Sequence, residues 1–235
     1  MTLSRRVVAE FLGTAFLLAA VVGSGIMGER LAAGNTAIAL LANTLATGAT
    51  LITLIFTFGP ISGAHFNPAV TLADAFQGGI NWNDAPAYIL AQVTGALAGV
   101  GAAHVMFGEA LIQVSQHART GAGQLFSEFV ATFGLLCVIR SCARLQSKAV
   151  PTAVGLYITG AYWFTASTSF ANPAVTLARE FTDTFTGIRP ADVPGFIVAQ
   201  LLGALTATVL IRWLAWSPPL AAKEVPLPNA HPGRQ

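Results

Sequence analysis

The sequence predicts an all-α membrane protein: six transmembrane helices and two re-entrant half-helices arranged as an inverted repeat. Three observations predict it. Of the 235 residues, 54% are hydrophobic and only 9% charged, against roughly 25% charged in an average soluble protein. That is too little charge to cover a water-facing surface, so most of the exterior must face lipid. Six apolar stretches are long enough to cross a bilayer, and two more are about half that length. One seven-residue segment occurs twice without change.

The first stretch, about 7–27, follows Arg5 and Arg6 and superficially looks like a secretory signal. Glu10 interrupts its apolar run, which then continues to Met27. About 20 residues are enough to span a bilayer, so it is read as a retained first helix. The other long stretches fall at about 36–59, 85–107, 126–143, 150–167 and 193–213. Between the second and third, and between the fifth and sixth, lie the pieces 67–76 and 172–181. Ten residues of helix reach only ~15 Å, half of a ~30 Å hydrocarbon core. They must be re-entrant half-helices or soluble caps.

Charge sets the expected orientation. Arg5 and Arg6 precede the first span, Arg140, Arg144 and Lys148 surround the fourth-to-fifth connection, and Arg212 and Lys223 follow the last span. The positive-inside rule puts all three regions in the cytoplasm, and six spans with both termini inside satisfy it. The expected organisation is one channel domain over 1–216, with repeat 1 at about 5–107 and repeat 2 at about 124–214. A proline-rich tail without apolar period, 217–235, is expected to be a disordered cytoplasmic extension.

The repeat is explicit. Asn67-Pro68-Ala69-Val70-Thr71-Leu72-Ala73 returns as Asn172-Pro173-Ala174-Val175-Thr176-Leu177-Ala178. Glu10-Phe11 is echoed by Glu128-Phe129, and Ala91-Gln92 by Ala199-Gln200, in the same order in both halves. Each half holds three spans and one half-helix. Three is odd, so the second half inserts upside-down, giving a pseudo-twofold axis in the membrane plane. The two half-helices then enter from opposite sides and meet near the midplane.

The motif residues suit that meeting point. Proline at the first helical position gives up no hydrogen bond, because that N–H would be unpaired anyway. Asparagine caps the helix while its amide can also donate into a pore. Each half-helix N-terminus carries roughly half a positive charge. Two of them facing one another oppose protons and metal cations, while a neutral solute exchanges hydration for hydrogen bonds from Asn67 and Asn172. Glu10 and Glu128 would be costly against lipid, by ~2.5–3.5 kcal/mol or more. Their symmetric placement points to carboxylates that accept backbone N–H bonds and anchor the re-entrant loops. His65 is placed to line the pore or to bond the loop.

Two Asn-Pro-Ala motifs, one in each half of a six-span chain, resemble the aquaporin (major intrinsic protein) family over about residues 5–214. The resemblance implies a passive channel, a homotetramer with one pore per subunit, and no cofactor or metal. In most of that family arginine follows the second Asn-Pro-Ala and projects into the narrowest part of the pore. Here that residue is Val175. Spacing from the motifs carries the other constriction positions to Thr47, Gly160 and Ser169. None of the four is charged, so the constriction is expected to be wide. The expected solutes are glycerol, urea and hydroxylated metalloids such as arsenite or antimonite, along with water. Arg179, seven residues after Asn172, either reaches into the outer vestibule, or snorkels to the interface or pairs with a nearby acid. The short loops and Arg-Arg start suit a bacterial inner membrane.

The competing readings are a water-selective channel and a coupled secondary transporter, for which Glu10, Glu128 and Asp74 are the candidate acids. The net charge of +2, without a basic stripe, excludes a nucleic-acid partner. No hydrolase or metalloprotease motif supports an enzyme. Cys137 and Cys142 lie in one apolar run and make no disulfide framework.

Overall fold

The computed structural model describes residues 1–214, and eight α-helices appear there in the expected order. They are α1 (Leu3–Leu31), α2 (Thr36–Ser62), α3 (Pro68–Phe76) and α4 (Ala85–Phe107) in the first half. In the second they are α5 (Ala122–Leu145), α6 (Val150–Phe164), α7 (Pro173–Ala178) and α8 (Val193–Leu214). The expected tail at 217–235, with Lys223, lies outside the described residues.

Local chemistry fixes the ends. The Asn35 side chain accepts from the N–H groups of Ala37 and Ile38 and starts α2, and Gly63, at φ 90°, ends it in a left-handed cap. Gly108 closes α4 in the same way at φ 70°. α6 is shorter than expected, ending at Phe164 rather than near 167. Thr165 turns extended (φ −109°, ψ 138°) and its hydroxyl donates to the Ala161 carbonyl at 2.6 Å. The residues after it are needed to carry the chain back toward the midplane. α7 has six α-helical residues and finishes in a 3₁₀ turn, Arg179–Phe181.

Packing repeats along with the sequence. α1 lies against α4 as α5 lies against α8, and each half-helix touches both α4 and α8. Close approach depends on small residues: a Cβ on Gly95 or Gly99 would run into the α1 backbone at Phe11 and Ala15, and one on Gly203 into the α5 backbone at Phe129. Gly13 leaves the space that the Phe66 ring fills. Large apolar side chains such as Phe16, Leu45, Phe56, Leu156 and Val198 stand exposed on the outer faces, the pattern of a surface solvated by lipid.

Candidate functional site

The two half-helices meet through their first residues. The Asn67 amide nitrogen donates to the Ala171 carbonyl and the Asn172 amide nitrogen to the Phe66 carbonyl, each at 2.7 Å. Each side-chain oxygen is used as a cap: Asn67 accepts from Ala69 N–H, and Asn172 from Ala174 and Val175 N–H. An amide nitrogen has two N–H bonds, so one remains on each asparagine, and both residues line the central cavity. The asparagines therefore face the lumen as donors, not acceptors. With two helix N-termini behind them, they favour a solute oxygen and disfavour a cation.

The loops leading into the half-helices are strained in register with the repeat. Gly63, Ala64 and Phe66 have φ of 90°, 51° and 48°, and Thr168, Ser169 and Ala171 have 60°, 50° and 48°. Each is 105 positions from its counterpart. Left-handed non-glycine residues persist only where their surroundings hold them, and the buried glutamates do so. Glu10 accepts from Ser62 Oγ (2.6 Å), His65 N–H (3.0 Å), Phe66 N–H (2.7 Å) and Gln92 Nε2 (2.8 Å). Glu128 accepts from Phe170 N–H (2.8 Å), Ala171 N–H (2.8 Å) and Gln200 Nε2 (2.6 Å). Gln92 and Gln200 also donate to Thr71 and Thr176 on the half-helices. Both carboxylates are fully buried.

A cavity of about 250 Å³ runs past the asparagines. At one end His65 lines it; its Nδ1 lies 3.1 Å from Thr71 Oγ1 and its Nε2 3.6 Å from Asp74, which Arg140 pairs at 3.0 Å. At the other end Thr47, Ser169 and Val175 line it, together with Tyr162 and Arg179. Beyond lies a vestibule of about 400 Å³ that includes His117 and Arg119. Arg179 lines both spaces, and among the described residues no other lining residue is shared.

Gly160 is not on the cavity wall, contrary to the spacing argument. Val150, Val154, Ile158 and Tyr162 form the lumenal stripe of α6. Gly160 is exposed on the opposite stripe with Thr152 and Leu156, and a Cβ there would meet nothing within 4 Å. At 100° per residue, position 160 sits about 200° round from 158. The position it was expected to fill is taken by Tyr162, which is buried and whose hydroxyl lies 3.4 Å from Thr47 Oγ1.

Arg179 does not snorkel. It is 2% exposed, its guanidinium stacks over the Phe170 ring with Cζ 3.4 Å from the centroid, and its Nε donates to the Thr186 carbonyl. Arg119, from the loop between α4 and α5, lies over the same ring at 4.8 Å. It donates to the Gly187 and Ser167 carbonyls at 2.8 and 3.1 Å. Burial pulls the Arg119 guanidinium down to about 10, which leaves it charged at neutral pH. Among the described residues neither guanidinium has a carboxylate oxygen within 4 Å, although the Arg119 backbone N–H donates to Asp192 at 2.8 Å. Sequence reasoning missed Tyr162 and Arg119. It noted Gln92 and Gln200 only as an echo, although that echo was signal enough to pair them with the glutamates.

The major intrinsic protein family model matches residues 1–159 and again 140–231. The chain is 58% identical to the aquaglyceroporin AqpS of Rhizobium meliloti over 90% of its own length and 91% of that protein's. It is 35% identical to aquaporin NIP1-1 of Zea mays over 66% of its own length, spanning 54% of that relative. In structure it superposes on the aquaglyceroporin from Plasmodium falciparum with a TM-score of 0.73, covering 92% of this chain and 98% of the other at 21% identity. Among the described residues five helices are long and apolar enough to cross a membrane, with α6 shorter at 15 residues; with the two half-helices meeting at paired asparagines they agree with these matches, and the chain belongs to the major intrinsic protein family, the passive membrane channels for water and small neutral solutes.

Proposed function

We propose that the channel conducts solutes larger than water: glycerol, urea and neutral hydroxylated metalloids such as arsenite and antimonite. The carrying observation is Val175 on the cavity wall, where a short branched side chain stands beside Thr47 and Ser169. An aperture with the hydroxyls of Thr47, Ser169 and Tyr162 on its rim and a valine where the family usually has arginine passes a polyol that a narrower pore rejects, since selectivity here follows diameter and lining donors. The relative from Rhizobium meliloti carries the name aquaglyceroporin, which supports this reading over a strictly water-selective one. Glu10 and Glu128 serve as loop anchors, because their oxygens are already occupied by donors; a coupled transporter would need a carboxylate free to exchange a proton. The channel sits in a bacterial inner membrane as a homotetramer, with Arg5, Arg140 and Arg212 on the cytoplasmic side and the Arg179 end facing out.

Stopped-flow light scattering on proteoliposomes tests the aperture. Val175→Arg is expected to cut glycerol, urea and arsenite uptake by about tenfold while lowering water flux less. Unchanged uptake of the larger solutes would mean that Val175 does not set the width.

A further inference from the structure

Position seven after the motif asparagine is Asp74 in the first half-helix and Arg179 in the second. Both side chains turn back along their helix onto the residue two before the asparagine. Asp74 reaches His65 at 3.6 Å and Arg179 reaches Phe170 at 3.4 Å. That direction is inherent in the helix, whose Cα–Cβ bonds tilt toward the N-terminus. Arg179 lies four residues after Val175 and shares its face. A long side chain starting one turn farther out therefore brings its charge back toward the valine.

We propose that two jobs are divided here: Val175 sets the aperture, and Arg179 supplies the electrostatic barrier at the same end of the pore. The guanidinium lies flat against Phe170 and is tied to the Thr186 carbonyl. It is held to the wall where the central cavity passes into the vestibule. Arg119, on the same ring and bonded to Gly187 and Ser167, keeps Phe170 and the 184–187 loop in place and adds a second positive charge. Two carboxylates lie near the pair: Glu128, whose oxygens are turned to the Phe170 and Ala171 N–H groups and Gln200, and Asp192, which accepts the Arg119 backbone N–H at 2.8 Å and is paired by Arg189 at 3.2 Å. The result is a wide mouth with a positive rim. It admits neutral solutes rich in acceptor oxygens and rejects protons and metal cations, although the residue after the second motif is uncharged.

This proposal rests on the reading of the cavity as the conducting pore, and its test uses a different readout from the aperture test. Proteoliposomes containing the full chain are loaded with a pH-sensitive dye, and proton and potassium leakage are measured beside glycerol uptake. Wild type is expected to be tight to both ions while passing glycerol. Arg179→Gln is expected to raise ion leakage relative to glycerol uptake by about tenfold or more, and Arg179→Lys to restore tightness. Val175→Leu should narrow solute size selection without opening the pore to ions. Arg179→Gln vesicles that pass glycerol and stay as ion-tight as wild type would overturn the proposal and leave the barrier to the half-helix termini. If that variant does not reconstitute, wild type decides: ion leakage through it would show that Arg179 provides no barrier. Loss of the aperture effect at Val175 with the Arg179 effect intact would sink the width reading alone.

Discussion

The two mouths of this channel grow from one seven-residue unit and finish differently. At one, His65 and Asp74 face the cavity and Arg140 pairs the acid. At the other, the equivalent positions are Phe170 and Arg179, with Arg119 beside them and, among the described residues, no carboxylate within 4 Å of either guanidinium. The frame behind those side chains is shared by both halves: a buried glutamate, a glutamine bridging it to a half-helix threonine, and three left-handed loop residues. The repeat thus supplies a framework twice over. What makes one end a positive rim and the other a neutralised cluster is confined to the residues that project into the lumen.

The largest expected effects lie in the shared framework and test whether its halves are equivalent. Glu10 holds four donors and Glu128 three, counting the bonds to side chains and loop backbone. Replacing either by alanine strands buried N–H groups of loops already in unfavourable conformations, a loss of about 3–5 kcal/mol. Glu10→Ala should lower the thermal unfolding midpoint in detergent more than Glu128→Ala, because Ser62 also loses its acceptor. The reverse order would show that the loops depend on something other than their carboxylates.

A smaller effect is expected at the paired mouth. Asp74 and Arg140 are 19% and 17% exposed, and an ion pair in that setting contributes about 1 kcal/mol or less. Asp74→Asn should therefore cause a slight fall in the unfolding midpoint. Ion tightness and glycerol uptake in vesicles should stay at wild-type levels, in contrast to Arg179→Gln. Ion leakage through Asp74→Asn would place part of the barrier at this end and erase the distinction between the mouths.

The framework was legible in the sequence because it is written twice. A repeated Asn-Pro-Ala, a repeated Glu-Phe and a repeated Ala-Gln, in one order, specify which elements pair and where the half-helices enter. Apolar length also marked the lipid-facing helices, since a helix without water around it must be apolar over most of its surface. The lumenal residues were less legible. Their identity depends on helix rotation and side-chain reach, and neither repeats. Arg119 comes from a loop with no period, and its place over Phe170 exists only once α4, α5 and the 165–171 segment are packed. Arg179 was visible as a charge on the right face, but whether it folded inward depended on Phe170 and the Thr186 carbonyl being there to receive it.

Gly160 shows how fine that limit is, and it carries the smallest prediction. Counting back from Val175 assumes that the chain between α6 and α7 has a fixed shape, so that a number of residues translates into a direction. α6 ends at Phe164, and the loop after it sets the rotation of the helix independently of the count. The lumenal stripe consequently falls on Val154, Ile158 and Tyr162, and Gly160 faces outward with Leu156. With open space around its missing Cβ, Gly160→Ala removes only backbone freedom and should stabilise the channel by about 0.5–1 kcal/mol. The ratio of glycerol to urea uptake should not move. Tyr162→Gly, which removes the ring beside Thr47, should shift that ratio toward the larger solute. If Gly160→Ala changed the ratio and Tyr162→Gly did not, residue counting would have read the constriction correctly and the rotation of α6 would have to be redrawn.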